Sequence, residues 1–368
     1  MATRPTLDPD DLWTKASRGL DPAAESFGRD PADVADFRER LERLTAALQA
    51  EAQLNALGLT MAHGQMVRAI RHRLQLGTLW QERPELLATP LAPPIIVVGH
   101  MRSGTTRMHR LLAADPAHCA TRFCDSWSPV PRSPDTRPVW SALALGFAHR
   151  LDPWLETLHP FGATRPDEEL GWLAAALDHC AFEAQWHIPS YVAFSEARDA
   201  APVYREFARL LATDAAWHGN ANRPRVLKVP QFAEDLPVLL QQFPDARLVV
   251  TRRDPADVLA SSASLVANQR TIQSDKVDFD KVESECARKI TLREQRIDET
   301  LAAHDGPVAE VSFSELDEGW QAPVERVYRQ LGLKLSDEAR AGMAQEMDGS
   351  RNGAHESHAL QYKEMARA

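Results

Sequence analysis

Apolar residues recur along this chain in two rhythms. Between residues 32 and 86 they fall at three- and four-residue steps: Val34, Phe37, Leu41, Leu44 and Leu48 open the series, with charged side chains between them. That period places one apolar stripe along a helix, so the spacing predicts a helical N-terminal arm that packs on the rest of the molecule or on a second subunit. From residue 95 onward, short continuous apolar runs rich in Val and Ile alternate with helical stretches. The predicted order is strand 95–99, helix from about 105, strand 225–229, helix 232–243, strand 247–251, helix 255–267, strand 308–312 and helix 321–331. Such alternation with β-branched strands predicts an α/β fold, a parallel sheet covered by helices on both faces. Ligands of such sheets bind beyond the carboxyl ends of the strands.

Composition narrows this picture. With 368 residues, 44% of them hydrophobic, the chain can bury a full α/β core, and no Gly/Ser-rich linker divides it. The expected organisation is a helical extension over 1–88 and one α/β domain over 89–368, with a helical region rich in Trp, Pro and His over 125–220. A net charge of −10 argues against a general nucleic-acid binder. The cations gather instead at Arg102 to Arg110 and at Arg252 and Arg253, which suits a small anionic ligand within an acidic surface. Cys119, Cys124, Cys180 and Cys286 form no C-x-x-C pair and no metal-ligand spacing, so reduced thiols in a cytoplasmic protein are expected, and no metal site. The start, Met1-Ala2-Thr3-Arg4-Pro5, lacks an apolar signal core, and no uninterrupted apolar run approaches the ~20 residues of a membrane span.

The chemistry begins in the run from Pro94 to Leu112, which reads as a strand (Ile95-Ile96-Val97-Val98), a polar loop (Gly99-His100-Met101-Arg102-Ser103-Gly104) and a helix start at Thr105-Thr106. Unpaired amides and the helix dipole at such a start favour an anion, and Arg102 adds a fixed cation. Gly99 and Gly104 have the spacing of the G-x-x-x-x-G-K-[ST] nucleotide loop, but Thr105 stands where its Lys belongs. A Mg-nucleotide is therefore disfavoured. A second apolar strand, Arg247 to Thr251, leads into Arg252-Arg253-Asp254-Pro255, with Ser261 one helical stretch later.

The pattern Arg102-Ser103-Gly104-Thr105-Thr106 after a strand resembles the 5′-phosphosulfate loop of sulfotransferases, which use 3′-phosphoadenosine 5′-phosphosulfate (PAPS). Arg253 and Ser261 fall on the two phosphate-contacting positions of that family's 3′-phosphate motif. The strand Arg225-Val226-Leu227-Lys228, followed by Val229-Pro230, resembles the strand-Lys-x-Pro element of the protein-tyrosine and many bacterial sulfotransferases. The blocks Ser126 to Pro131, His159 to Ala163 with Pro166-Asp167-Glu168, and Ile188 to Tyr191 resemble a large bacterial subfamily, so the likeness covers about residues 90 to 360.

This resemblance implies a P-loop-like fold and a PAPS-dependent transfer of a sulfuryl group to a hydroxyl of a small molecule, lipid or glycan, with no metal required. It implies donor contacts from Arg102, Ser103, Gly104, Thr105, Thr106, Arg253 and Ser261, with Arg351 in a closing loop, and a Lys228 placed near the bridging oxygen of the sulfate. Segment 125–220 is expected, by elimination, to cover the acceptor. A general base is also needed. His159 and Asp125 both occupy positions used by branches of the family, and Asp167 and Glu168 are further candidates. His100 departs from the family pattern, and Phe313 aligns with an aromatic position near adenine in some relatives but is expected in the core. A P-loop kinase acting on a small metabolite, and a non-catalytic nucleotide-binding protein on the same fold, stand as the alternatives.

Overall fold

The computed structural model describes residues 5–151 and 161–350. Five strands form one sheet: β1 (Ile95–Val98), β2 (Cys119–Ala120), β3 (Arg225–Lys228), β4 (Arg247–Arg252) and β5 (Val308–Ser312). Their order is β2-β3-β1-β4-β5, and every pairing is parallel. The α/β fold with a helix-flanked parallel sheet, expected from the alternating pattern, is what the chain adopts.

Alternation along each strand divides the core in two. Ile96, Val98, Leu227, Leu248 and Val250 face one side, packing with Trp172, Tyr204, Phe207 and Phe232. Ile95, Val97, Val226, Val249, Ala309 and Val311 face the other, against Met108, Leu111, Val324 and Tyr328. A strand buried on both faces reads as an unbroken apolar run, which is why these segments were legible in sequence.

The central strand β1 has β3 on one side and β4 on the other. The chain leaves β1 toward β2 and β3, then crosses to β4 and β5. The sheet's topological switch therefore lies at β1, and a crevice opens beyond its carboxyl end. The helix Thr105–Ala113 starts in that crevice.

Three elements differ from expectation. The predicted helix 232–243 is a 3-10 turn, Pro230–Ala233, then a helix Leu236–Gln242 with Pro237 in its first turn. A residue preceding proline is disfavoured in helical geometry, and proline lacks the N–H that helix continuation needs, so the helix restarts there. The helix after β4 runs to Gln273. Strand β2, two residues long, is too short to leave a pattern. The N-terminal arm holds helices Pro9–Ala16, Pro31–Ala50 and Ala56–Glu82, and shares a core with Phe182, Trp186 and Tyr191.

Candidate active site

The turn after β1 is shaped by its backbone. A Cβ on Gly99 would come within 2.3 Å of the Thr251 hydroxyl and 2.8 Å of the Thr251 carbonyl, so only glycine lets the end of β1 lie this close to β4. Arg102 and Gly104 both have left-handed φ values, +69° and +91°, and Gly104 caps the helix Thr105–Ala113. The left-handed conformation costs a non-glycine residue about 1 kcal/mol, and the surrounding structure must hold Arg102 in it. Buried Ser103 does part of that: its hydroxyl donates to the His100 carbonyl at 2.7 Å and meets the Thr251 hydroxyl at 2.8 Å.

Two cations share the space beside this turn. Arg102 Nε donates to Ser261 Oγ at 2.9 Å, and Arg253 Nη1 donates to the Arg102 carbonyl at 2.9 Å. Burial, and then the positive charge of Arg253, push the Arg102 guanidinium pKa down. Arg253 lies 4.1 Å over the Phe313 ring, and its Nε has no hydrogen-bond partner, with the Asp257 carboxylate 3.7 Å away. Phe313 is half-buried against Gly104 and under Arg253, not in the core as expected. It starts the helix Phe313–Glu318 directly after β5, which puts its ring at the sheet's carboxyl edge. Adjacent guanidinium groups on an aromatic platform favour a dianion between them.

The third cation stands at the end of β3. Lys228 is 1% exposed, and its ammonium donates to the Thr106 hydroxyl at 3.1 Å and pairs with the Glu168 carboxylate. Its own N–H donates to Glu169 Oε2 at 2.9 Å. Burial pushes the Glu169 carboxyl up to about 8, against that hydrogen bond. The loop carrying these acids is pinned by Ser126, whose hydroxyl donates to the Glu168 carbonyl at 2.7 Å. Lys228 thus joins the start of the helix Thr105–Ala113 to Glu168, which is partly exposed where Glu169 is fully buried.

The remaining candidates fall elsewhere. His159 and Arg351 lie outside the described residues. Asp125 is 2% exposed, held by Arg122 at 2.5 Å, Arg137 at 3.0 Å and His218 at 3.4 Å. Burial pushes its carboxyl up, but hydrogen bonds from His218 and Arg122 and the charge of Arg137 outweigh it and hold it below the usual range. His218 is correspondingly raised to about 9, first by its bonds to Asp125 and Asp214. A carboxylate so stabilised in its charged form is a weak proton acceptor. Asp167 is buried beside Glu168, accepting the Glu168 N–H at 2.8 Å.

Two sets of metal-type ligands occur among the described residues, Asp125/Asp214/His218 and His179/Glu183/Glu234. Each already faces protein cations: Arg225 sits 2.7 Å from Asp214, while Lys289 sits 2.9 Å from Glu183 and 2.8 Å from Glu234. These cations supply the charge compensation that a metal would bring.

A family profile described as "Sulfotransferase family" matches residues 93–337. Omega-hydroxy-beta-dihydromenaquinone-9 sulfotransferase Stf3 of Mycobacterium bovis is 25% identical over 252 residues, 66% of this chain and 63% of that protein. The same-named protein of Mycobacterium tuberculosis matches to the same extent. The match thus spans just under two thirds of the length of these curated relatives. Among solved structures, sulfotransferase STF1 from Mycobacterium tuberculosis H37Rv matches with a TM-score of 0.83 and 28% identity, covering 98% of this chain and 99% of that one. Sulfotransferase STF9 from Mycobacterium avium matches with a TM-score of 0.83, covering 96% and 90%; at 20% identity it speaks for the fold alone.

Proposed function

We propose, on the premise that the chain belongs to the sulfotransferase family, that it moves a sulfuryl group from PAPS to a hydroxyl of an apolar small molecule or lipid. The observation that carries this reading is Lys228, buried between the Thr106 hydroxyl and the Glu168 carboxylate at the sheet's switch point. The lipid class is supported by the curated relatives, named for a menaquinone-derived acceptor.

The residues present fit such a donor. The turn between Gly99 and the helix start at Thr105 presents that helix's first amides beyond β1, and Arg253 Nε has an unused donor beside Arg102. Arg102, Gly104, Thr105 and Thr106 would hold the 5′-phosphosulfate end, and Arg253 with Ser261 the 3′-phosphate. Ser103, expected among the donor contacts, is buried and spends its hydroxyl and N–H on the His100 carbonyl, bracing the turn. When bound, PAPS supplies a sulfuryl group already activated on a phosphate leaving oxygen.

The chain's own part is positioning and charge. With PAPS bound, Glu168 would be the group that accepts the proton of the acceptor hydroxyl. Lys228, beside Glu168 and Thr106, would offset the negative charge that grows on the phosphate leaving oxygen, as cations do in phosphoryl transfer. Arg102 and the loop amides hold the phosphate in line.

The test is incubation with PAPS and a panel of phenols, prenols and diols, read by mass for sulfate addition, beside calorimetry with 3′-phosphoadenosine 5′-phosphate. Micromolar binding and a sulfated product are expected. No binding at millimolar concentration, or a phosphate gain that requires Mg-ATP, would overturn the reading.

A further inference from the structure

The helix Arg137–Leu151 turns an apolar stripe toward solvent. Val139, Trp140, Leu143 and Phe147 are each at least 60% exposed, and Leu151 is 40% exposed. Steps of three and four residues put these side chains on one helical face. The opposite face is fixed to the molecule. Arg137 and Ser141, four residues apart, are buried there, and Arg137 reaches Asp125 at 3.0 Å, Asp135 at 2.8 Å and the Ser128 carbonyl at 3.3 Å. Single exposed apolar residues are ordinary on a protein surface, whereas a contiguous stripe marks an interaction site.

Charge, length and size select the partner. The helix contains no acidic residue, although the chain carries a net charge of −10, and the exposed Arg132 and Arg150 flank its two ends. Apolar and aromatic side chains bordered by cations suit the headgroup layer of a bilayer. The 15 residues span about 22 Å, short of the ~30 Å of a hydrocarbon core, so the helix can lie along a membrane but not cross it. A second copy of the chain fits less well: five side chains on one helix compare with the ~20–30 residues a side of a stable interface. The stripe is also mounted close to the proposed base. Arg137 pairs with Asp125 of the helix Phe123–Trp127, and Ser126 of that same short helix donates to the Glu168 carbonyl at 2.7 Å.

We infer that this face docks on a lipid bilayer. Trp140, Leu143 and Phe147 enter the boundary between headgroups and acyl chains, and Arg132 and Arg150 meet lipid phosphates. The inference rests on the sulfuryl-transfer reading and deepens it, because a lipid alcohol resident in that bilayer is then presented beside the segment that carries Glu168.

The test uses the full chain with mixed vesicles of phosphatidylcholine and phosphatidylglycerol, read by flotation. The wild type should float with the vesicles. Leu143→Ser/Phe147→Ser should weaken that partition at least ~10-fold, with affinity for 3′-phosphoadenosine 5′-phosphate unchanged. Phe147→Ser alone serves if the double variant fails to fold. Trp140→Phe keeps the face apolar, so it should still float while losing the quenching of tryptophan fluorescence by brominated lipid. A wild type that stays in the aqueous fraction would overturn the inference, as would flotation unchanged in the folded double variant. If the wild type stays aqueous as a dimer that the double variant breaks, the face belongs to a second copy. None of these readouts needs turnover. Failure of the wild type to bind the nucleotide would instead remove the sulfuryl-transfer premise, whatever the vesicles show.

Discussion

Glu168 and Asp125 show how far a carboxylate's role depends on its partners. Glu168 shares one buried cation and keeps 17% of its side chain exposed, while Asp125 is closed in by two arginines and His218. Glu168→Gln should lower kcat by about 10²–10⁴ and leave nucleotide affinity within about twofold, as read by steady-state kinetics and calorimetry. Asp125→Asn should instead cost about 3 kcal/mol of stability by leaving buried cations unpaired, with kcat preserved in the folded fraction. A normal Glu168→Gln turnover would return the base to His159 or Asp167. The Asp125 cluster also sets a pH dependence. His218 is raised from 6.5 to about 9, so its contribution is full below 6.5 and lost as pH rises through 9. Thermal unfolding of the wild type should fall by a few degrees across that window. His218→Gln should flatten the fall, and an identical slope in the variant would remove His218 as its source. Lys228, Arg102, Arg253 and Ser261 were legible because each stands at a fixed offset from a strand end or turn. The pairing that distinguishes Glu168 joins residues 60 apart, and no local spacing encodes it.

At the scale of elements, the loop after β1 depends on how closely β1 and β4 approach. Gly99→Ala would drive a Cβ into both the hydroxyl and the carbonyl of Thr251, and the carbonyl belongs to a central strand that cannot yield. The expected outcome is a nucleotide affinity at least ~10-fold weaker, with a stability loss of about 1–3 kcal/mol, measured by calorimetry and denaturant titration. Retained affinity would show that the loop is not shaped by this contact. Elements followed sequence closely where their signal was local. Strands β1, β3 and β4 have apolar centres buried on both faces, the edge strand β5 alternates about the exposed Glu310, and the helix after β4 begins at Asp254-Pro255, where Asp254 accepts the Ala256 N–H. The predicted helix 232–243 failed because its apolar spacing was read across Asp235-Leu236-Pro237, a stretch whose backbone preference interrupts the helix. Segment 161–169, which carries Asp167, Glu168 and Glu169, has little regular structure, so periodicity could not place it; the tertiary contacts of Ser126 and Lys228 do.

For the molecule as a whole, the question is whether the N-terminal arm is a separable unit. Its apolar stripe was visible in sequence, but the surface that receives it was not, because that surface comes from distant helices. Arg29 pairs with Glu206 of the helix Ala201–His218 at 2.6 Å, and Arg73 lies 3.8 Å from the same carboxylate, with all three side chains at most 4% exposed. Burial alone would raise the Glu206 carboxyl, but the charges of Arg29 and Arg73 outweigh it and lower it to about 2. Its contribution to stability is therefore complete above the ordinary carboxylate value of 4.5 and lost as pH falls toward 2. The apolar face of the arm packs within the chain, against Phe182, Trp186 and Tyr191, and no helix among the described residues is long and apolar enough to cross a membrane. With a shared core and a buried charge triad spanning the junction, arm and sheet should unfold together. Calorimetry should show one transition, and Glu206→Gln, which leaves two buried arginines facing a neutral amide, should lower that whole transition by about 3–5 kcal/mol. The Arg29→Met/Glu206→Leu double variant should recover part of the loss, since it removes both members of the tightest pair. An early, separate transition in the Glu206→Gln variant would instead identify residues 1–88 as a domain that folds independently of the sheet.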